Sequence, residues 1–128
     1  NRIKKKMLKK NILICDWFID STIAYQVYGK GVDKNFVNTI HKKILGNIKP
    51  NITFLLKIKI SKALERLKKR KKKNRYDKFS KSFYVKAQKS FIKIAKNNKK
   101  THVILDSSEN NSNLEKIILN IALKKLQR

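Results

Sequence analysis

Cysteine, proline and glycine are nearly absent from this sequence, and the scarcity of cysteine closes a possibility. Cys15 is the only cysteine in 128 residues, so neither an intrachain disulfide nor a cysteine metal cluster is available. A reducing, cytoplasmic setting fits that count. Long apolar runs are missing too: none reaches the roughly 18 residues of a membrane-spanning helix. The basic start, Asn1 to Lys10, is followed only by Ile12 to Cys15, too short for a signal-peptide core. Acid is scarce as well. Eight Asp and Glu stand against 34 Lys and Arg, leaving a net charge of +26. Charge of that size suits nucleic acid or an anionic surface. Arginine, however, is confined to Arg2, Arg66, Arg70, Arg75 and Arg128, and the lysines spread over most of the chain. A compositional bias gives the same picture, so the charge alone leaves both origins open.

What is present is enough for one small domain spanning 1–128. Hydrophobic residues make up 41% of the chain, which sets it apart from a disordered basic tail. Three short apolar runs read as strands buried on both faces: Ile12–Cys15, Ile52–Leu56 and His102–Leu105. The first and third end in an acid, Asp16 and Asp106. Helical spacing links them. Ile3, Met7 and Leu8 suit the last turns of a helix, and Asp20 or Ser21 is placed to cap one that carries Ile23, Ala24 and Val27. Gly29-Lys30-Gly31 reads as a flexible break, and Asp33 as the N-cap of a helix through Phe36, Val37, Ile40, Ile44 and Leu45. Gly46 is its stop. Ile60, Ala63, Leu64 and Leu67 begin a helix that runs into six basic residues, Lys68–Lys73. Phe79, Phe83, Tyr84, Ala87, Phe91, Ile94 and Ala95 form one long amphipathic face. Leu114, Ile117, Ile118, Ile121, Ala122 and Leu126 mark a final helix. Short apolar strands alternating with helices predict an α/β fold, a three-stranded parallel sheet flanked by helices. In such a sheet, ligands sit at the carboxyl ends of the strands, where Asp16 falls.

One stretch differs in chemistry from the lysine-rich remainder: Asp16-Trp17-Phe18, Ser21-Thr22-Ile23-Ala24-Tyr25-Gln26 and Gly29-Lys30-Gly31-Val32-Asp33. It resembles the bacterial thymidylate kinase family, which has Asp-Arg-aromatic, Ser-Ser/Thr-x-Ala-Tyr-Gln and Gly-x-Gly-hydrophobic-Asp in this order. The likeness continues through Pro50-Asn51-Ile52-Thr53, Ala63-Leu64-Glu65-Arg66, Arg70, Asn74-Arg75-Tyr76-Asp77, Phe83-Tyr84 and Phe91, and covers essentially the whole chain. It implies a partial P-loop kinase fold, the C-terminal part, with the N-terminal strand and P-loop missing. The phosphate-cradling Gly-x-x-x-x-Gly-Lys-Ser/Thr does not occur in this sequence.

The resemblance also implies roles. The expected activity is ATP-dependent phosphorylation of dTMP to dTDP, with Mg²⁺ bridging the ATP phosphates, and the chain by itself inactive. Asp16 would lie near the phosphates and metal. Thr22 and Gln26 would offer hydrogen bonds to the thymine, and Tyr25 would lie against the deoxyribose. Arg66, Arg70 and Arg75 would belong to a basic lid over about 66–78, with Arg70 supporting the migrating phosphoryl group. Lys71 and Asn74 depart from the usual Gly and Asp of that lid. A homodimer is implied by resemblance only. Trp17 is the main departure. The family has an arginine there, reaching the substrate phosphate, and an indole with one N–H and no charge is no substitute. Impairment, compensation by a nearby lysine and an error in the sequence all remain as accounts.

Two other readings compete. A basic nucleic-acid-binding protein would expose its aromatics among the lysines, whereas Phe79, Phe83, Tyr84 and Phe91 share the apolar face. A kinase-like relative that binds nucleotide without catalysis is supported by Trp17 alone. His41 and His102 have no metal-ligand company and read as structural or surface residues.

Overall fold

A computed structural model describes residues 12–71, 79–108 and 112–127. The elements run α1 (Ile19–Thr22), a π-helical segment (Ile23–Gly29), α2 (Lys34–Leu45), β1 (Thr53–Lys57), α3 (Ile60–Lys68), α4 (Lys81–Asn97), β2 (His102–Asp106) and α5 (Ser112–Leu126). The expected helix before Ile12 lies outside the described residues.

Local chemistry sets the helix boundaries. Asp33 caps α2 as expected: its Oδ1 accepts from the Phe36 N–H at 2.7 Å. Gly46 ends that helix with φ 62°, a left-handed conformation that glycine adopts without a Cβ penalty. Ser80 caps α4, its Oγ accepting from the Phe83 N–H at 3.3 Å.

The two strands are parallel and in register from Thr53↔His102 to Lys57↔Asp106. They are the second and third of the expected strands. Among the described residues the sheet has two strands, β1-β2, and the fold is mostly helical α/β. The first expected strand does not form. Ile12–Cys15 is irregular, and Ile12 and Ile14 are 68% and 95% exposed. An apolar run becomes strand only where a neighbour takes its N–H and C=O groups, and β1 and β2 pair with each other instead. The expectation of burial on both faces also fails, since Leu56 and Ile104 are exposed.

Helix α4 is the centre of the packing. It touches the π-helical segment, β1, β2, α1 and α3. Phe83, Ala87, Ser90 and Ala95 of this helix are buried, and with Ala24 and Val37 they form the core of the described residues. Most of these residues are small. The core is therefore narrow, and its bulk comes from half-buried rings rather than enclosed aliphatics. In α5 the half-buried positions are Leu114, Ile118, Ile121 and Ala122, the helical spacing expected, while Ile117 and Leu126 lie exposed.

Candidate functional site

The predicted nucleotide residues fall on α1 and the π-helical segment, which α4 backs. Thr22 ends α1, and Tyr25 and Gln26 lie within the π turns. A π-helix carries one more residue per hydrogen-bonded ring than an α-helix; it is rare and frequently found at functional sites. Its geometry is closed off by Gly31, at φ 77°, whose N–H donates to the Val27 carbonyl. The Val32 N–H donates to the Gln26 carbonyl at 2.9 Å. The expected cap at Asp20 or Ser21 is not used. Phe18 holds the N-cap position without a side-chain bond, and Asp20 lies inside the first turn.

Rings hold this segment in place. Tyr25 packs tilted against Phe83 (centroids 5.6 Å) and edge-on against Phe91 (5.7 Å). Phe83 continues to Phe79 at 4.1 Å. Trp17 covers the far side of Tyr25, stacked at 5.0 Å with 10° between planes. Offset stacks and edge contacts of this kind contribute about 0.5–1.5 kcal/mol each beyond buried area. Trp17 has φ 59°, where a bulky residue is strained by about 1–2 kcal/mol. The stack is the compensating contact.

Gly29, read from the sequence as a flexible break, has a packing role. A Cβ built there would lie 2.5 Å from Phe83 Cε2 and 3.0 Å from Cζ. The π-helical segment therefore approaches α4 as closely as it does because residue 29 has no side chain.

Asp16 precedes this group in an exposed bend rather than at the end of a strand, because Ile12–Cys15 forms none. Among the described residues no three His, Cys, Asp or Glu side chains converge as a metal cage. A cleft of about 220 Å³ opens elsewhere on the same elements, lined by Asp20, Ile23, Tyr28, Lys34, Lys93 and Asn97 among others. None of the predicted nucleotide residues lines it.

The basic side of the site is organised by polar contacts. Arg66 on α3 turns its Nη2 to the carbonyls of Ser107 and Ser108, at 3.4 and 3.5 Å. Lys62 Nζ donates to the Ser108 carbonyl at 3.2 Å, and the Lys59 N–H to Ser108 Oγ at 3.3 Å. The Ser107 N–H donates to the Lys57 carbonyl at 2.7 Å. The loop after β2 is thereby tied to the end of β1 and to α3. Ser108 also bonds the Asp106 carboxylate through its hydroxyl and its backbone N–H, which holds that carboxyl below its ordinary range. Glu65 is lowered by its exposed pair with Lys69 at 2.8 Å. Arg70 lies exposed just past α3. Arg75 and residues 72–78 of the expected lid lie outside the described residues.

Sequence reasoning missed one contact that bears on the site. His102 Nε2 lies 2.8 Å from Asp20 Oδ2, across 82 positions of chain, with the side chains 11% and 26% exposed. The pair was hidden because neither residue has a neighbour in sequence that suggests a partner. Only the packing of both α1 and β2 against α4, which brings His102 to Asp20, reveals it.

These features can be set beside known proteins. A family model described as "Thymidylate kinase" matches residues 1–118. The thymidylate kinase of Ehrlichia chaffeensis is 40% identical over 108 residues, covering 84% of this chain and 51% of its own. That of Wolbachia pipientis subsp. Culex pipiens is 44% identical over 103 residues, covering 79% and 48%. The crystal structure of thymidylate kinase from Ehrlichia chaffeensis superposes with a TM-score of 0.67 at 28% identity, covering 98% of this chain and 56% of that one. The chain spans about half the length of the curated relatives it matches.

Proposed function

The chain belongs to the thymidylate kinase family, and we propose that it supplies the nucleoside side and part of the lid side of an enzyme that transfers a phosphoryl group from ATP to dTMP. The observation that carries this reading is the grouping of Thr22, Tyr25 and Gln26 on one short segment beside Trp17, at the family's motif positions, with an aromatic backing. Thr22 and Gln26 have the donors and acceptors that a pyrimidine edge needs. Tyr25 is held by rings on two sides, so its position against a sugar would be fixed before substrate arrives, which favours deoxyribose by excluding a 2′-hydroxyl.

Mg²⁺ is normally held by one or two carboxylates plus substrate phosphates. Asp16, a single exposed carboxylate, fits that donor set. When bound, the ion neutralises charge on the phosphates. Arg70 carries the proposed charge on the transferring group, and Arg75 stands at the family's lid motif in the sequence. Arg66 joins α3 to the loop after β2 and so supports the base of that lid. The 128 residues contain no Gly-x-x-x-x-Gly-Lys-Ser/Thr, so alone they should turn over little or no dTMP. A reducing cytoplasmic setting belongs to the same reading. So does a homodimer, for which Phe36 and Ile44 on α2, each 59% exposed, offer an apolar surface. Sedimentation that returns only monomer at assay concentration removes the dimer.

Trp17 is the sole tryptophan and lies on Tyr25, so its emission reports on the site directly. Titrating dTMP into the chain should change that emission saturably. Trp17→Arg, followed by calorimetry, should tighten dTMP about tenfold or more, since a hydrogen bond to a charged group contributes about 1.5–3 kcal/mol. No dTMP response in the parent chain, together with no gain from Trp17→Arg, would sink the substrate assignment. The nucleic-acid reading loses its main requirement, because Phe83 is buried and Phe79, Tyr84 and Phe91 are half-buried.

A further inference from the structure

We propose that His102 is a positioning residue for the nucleotide segment, acting through Asp20. This inference rests on the reading of Thr22, Tyr25 and Gln26 as the substrate-facing group.

The imidazole is fixed from both of its nitrogens. Nδ1 lies 2.9 Å from Thr101 Oγ1, and that hydroxyl is 3.3 Å from the Asn98 carbonyl. The same carbonyl accepts from the Thr101 and His102 N–H groups, both at 3.0 Å, while the Thr101 carbonyl accepts from the Thr53 N–H at 2.7 Å. The ring is therefore anchored to the turn after α4 and to the start of the sheet. Its other nitrogen, Nε2, faces Asp20 Oδ2 at 2.8 Å. An ionised carboxylate can only accept, so Nε2 carries the hydrogen of this bond. That holds whether Thr101 donates to Nδ1 or accepts from it.

Asp20 sits two residues before Thr22, and the π turns begin at Ile23. The ring contacts of Tyr25 with Phe83 and Phe91, and the close approach of Gly29 to Phe83, set the distance of the segment from α4. A short hydrogen bond between half-buried groups is directional. Each residue of slip along a helix turns its side chains by roughly a quarter of a turn, which would re-aim Thr22, Tyr25 and Gln26 together. The His102–Asp20 bond opposes this slip with a directional contact, so the beginning of β2 helps set which side chains meet the nucleotide. The competing account is an ordinary fold-stabilising bond, and the two separate on specificity.

The test uses dTMP and its ribonucleotide counterpart as probes, Trp17 emission for affinity, and amide exchange at residues 22–29 for order. His102→Leu should weaken dTMP binding about tenfold, reduce the preference for dTMP over the ribonucleotide, and speed exchange at 22–29. His102→Gln should restore affinity to within about threefold, because its amide N–H reaches where Nε2 donates. Where His102→Leu does not fold, Asp20→Asn against Asp20→Ala makes the same comparison, since only the amide keeps an acceptor. Equal loss of stability in all variants with an unchanged deoxy/ribo preference overturns the inference, leaving a structural bond. So does His102→Leu with parent-like affinity and exchange, or His102→Gln as weak as His102→Leu. A parent chain with no dTMP response, together with no gain from Trp17→Arg, overturns the substrate reading and this inference together. A parent response that His102→Leu leaves unmoved overturns this inference alone.

Discussion

The proposed nucleoside side of the site is joined by rings: Trp17 on Tyr25, Tyr25 on Phe83 and Phe91, Phe83 on Phe79. The proposed lid side is joined by carbonyls and hydroxyls: Arg66, Lys62 and Lys59 onto Ser107 and Ser108, and Ser107 onto Lys57. The first set is buried or half-buried apart from Trp17, which is 52% exposed, and it is insensitive to salt. The second is exposed, made of single hydrogen bonds that each contribute roughly 0.5–1.5 kcal/mol. The difference suits the two tasks. A base and sugar must be met by a surface that is already in place, while a lid has to open and close on the phosphates. Loosely held polar ties allow the second, and interlocked aromatics allow the first.

Phe83→Ala should break the nucleoside side most severely. The ring touches Tyr25, Phe79 and Tyr84 and is one of the few buried large side chains. Truncating a buried Phe costs about 3–5 kcal/mol, a large part of the stability of a small domain. Thermal unfolding with Trp17 emission as the probe measures it. A loss below about 1 kcal/mol would mean that the rings do not carry this region.

Gly29→Ala sharpens the same comparison. Alanine should gain up to about 1 kcal/mol in helix propensity over glycine. Against that, its Cβ would meet the Phe83 ring at 2.5 Å, and overpacking costs about 1–3 kcal/mol. Overpacking wins, because the obstruction is a ring wedged between Tyr25 and Phe79 rather than the tip of a flexible chain. The expected result is a net loss of about 1–2 kcal/mol and a shifted Trp17 emission, since Tyr25 must follow Phe83. A stabilised variant would show that the ring has room to move.

On the lid side, Arg66→Met should cost no more than about 1 kcal/mol. Methionine keeps most of the apolar stem and removes the donors to Ser107 and Ser108. Denaturant unfolding should show the small loss, and Trp17 emission should be unchanged. An effect as large as that of Phe83→Ala would erase the distinction between the two sides.

Legibility in the sequence followed the same division. Capping at Asp33, the stop at Gly46, β1, β2 and the amphipathic face of α4 are local features, fixed by the residues that form them, and they were readable. The motif at Ser21–Gln26 was readable as a resemblance, and the family match covering residues 1–118 bears it out. Ile12–Cys15 was misread because a strand is a property of two segments, and composition says nothing about whether the second one pairs. The π-helical form of Ile23–Gly29 was unreadable because its apolar spacing is also compatible with an α-helix. The break at Gly29-Lys30-Gly31 was readable, but the packing role of Gly29 was not, because sequence shows that a side chain is absent, not what occupies the space. His102 looked idle because its partner lies 82 residues away.

Acid should separate the two sides with the smallest perturbation of all. Asp106 has its carboxyl held below the ordinary value by Ser108, first through the hydroxyl and then through the backbone N–H. A carboxyl depressed in the folded state stabilises it above the unfolded pKa, and that contribution is lost as pH falls through the folded value. The window therefore opens below about pH 4 and closes lower still. Within it, protonation weakens the bonds from Ser108 and, with them, the anchor of the loop that Arg66 and Lys62 hold. Glu65, lowered by Lys69, loses its exposed pair over the same direction of pH. The ring contacts of Tyr25, Phe83 and Phe91 involve no group that gains or loses a proton there; Asp20, which meets His102, is an acid group on that side, so the comparison is made in an Asp20→Asn background. On acidification, amide exchange at 107 and 108 should rise before Trp17 emission changes. Asp106→Asn should flatten the first response at little expense near neutral pH, because the amide oxygen still accepts from the Ser108 N–H. Simultaneous changes at both reporters would mean that the sheet end and the aromatic row unfold as one unit, and that the lid side has no independent looseness to use.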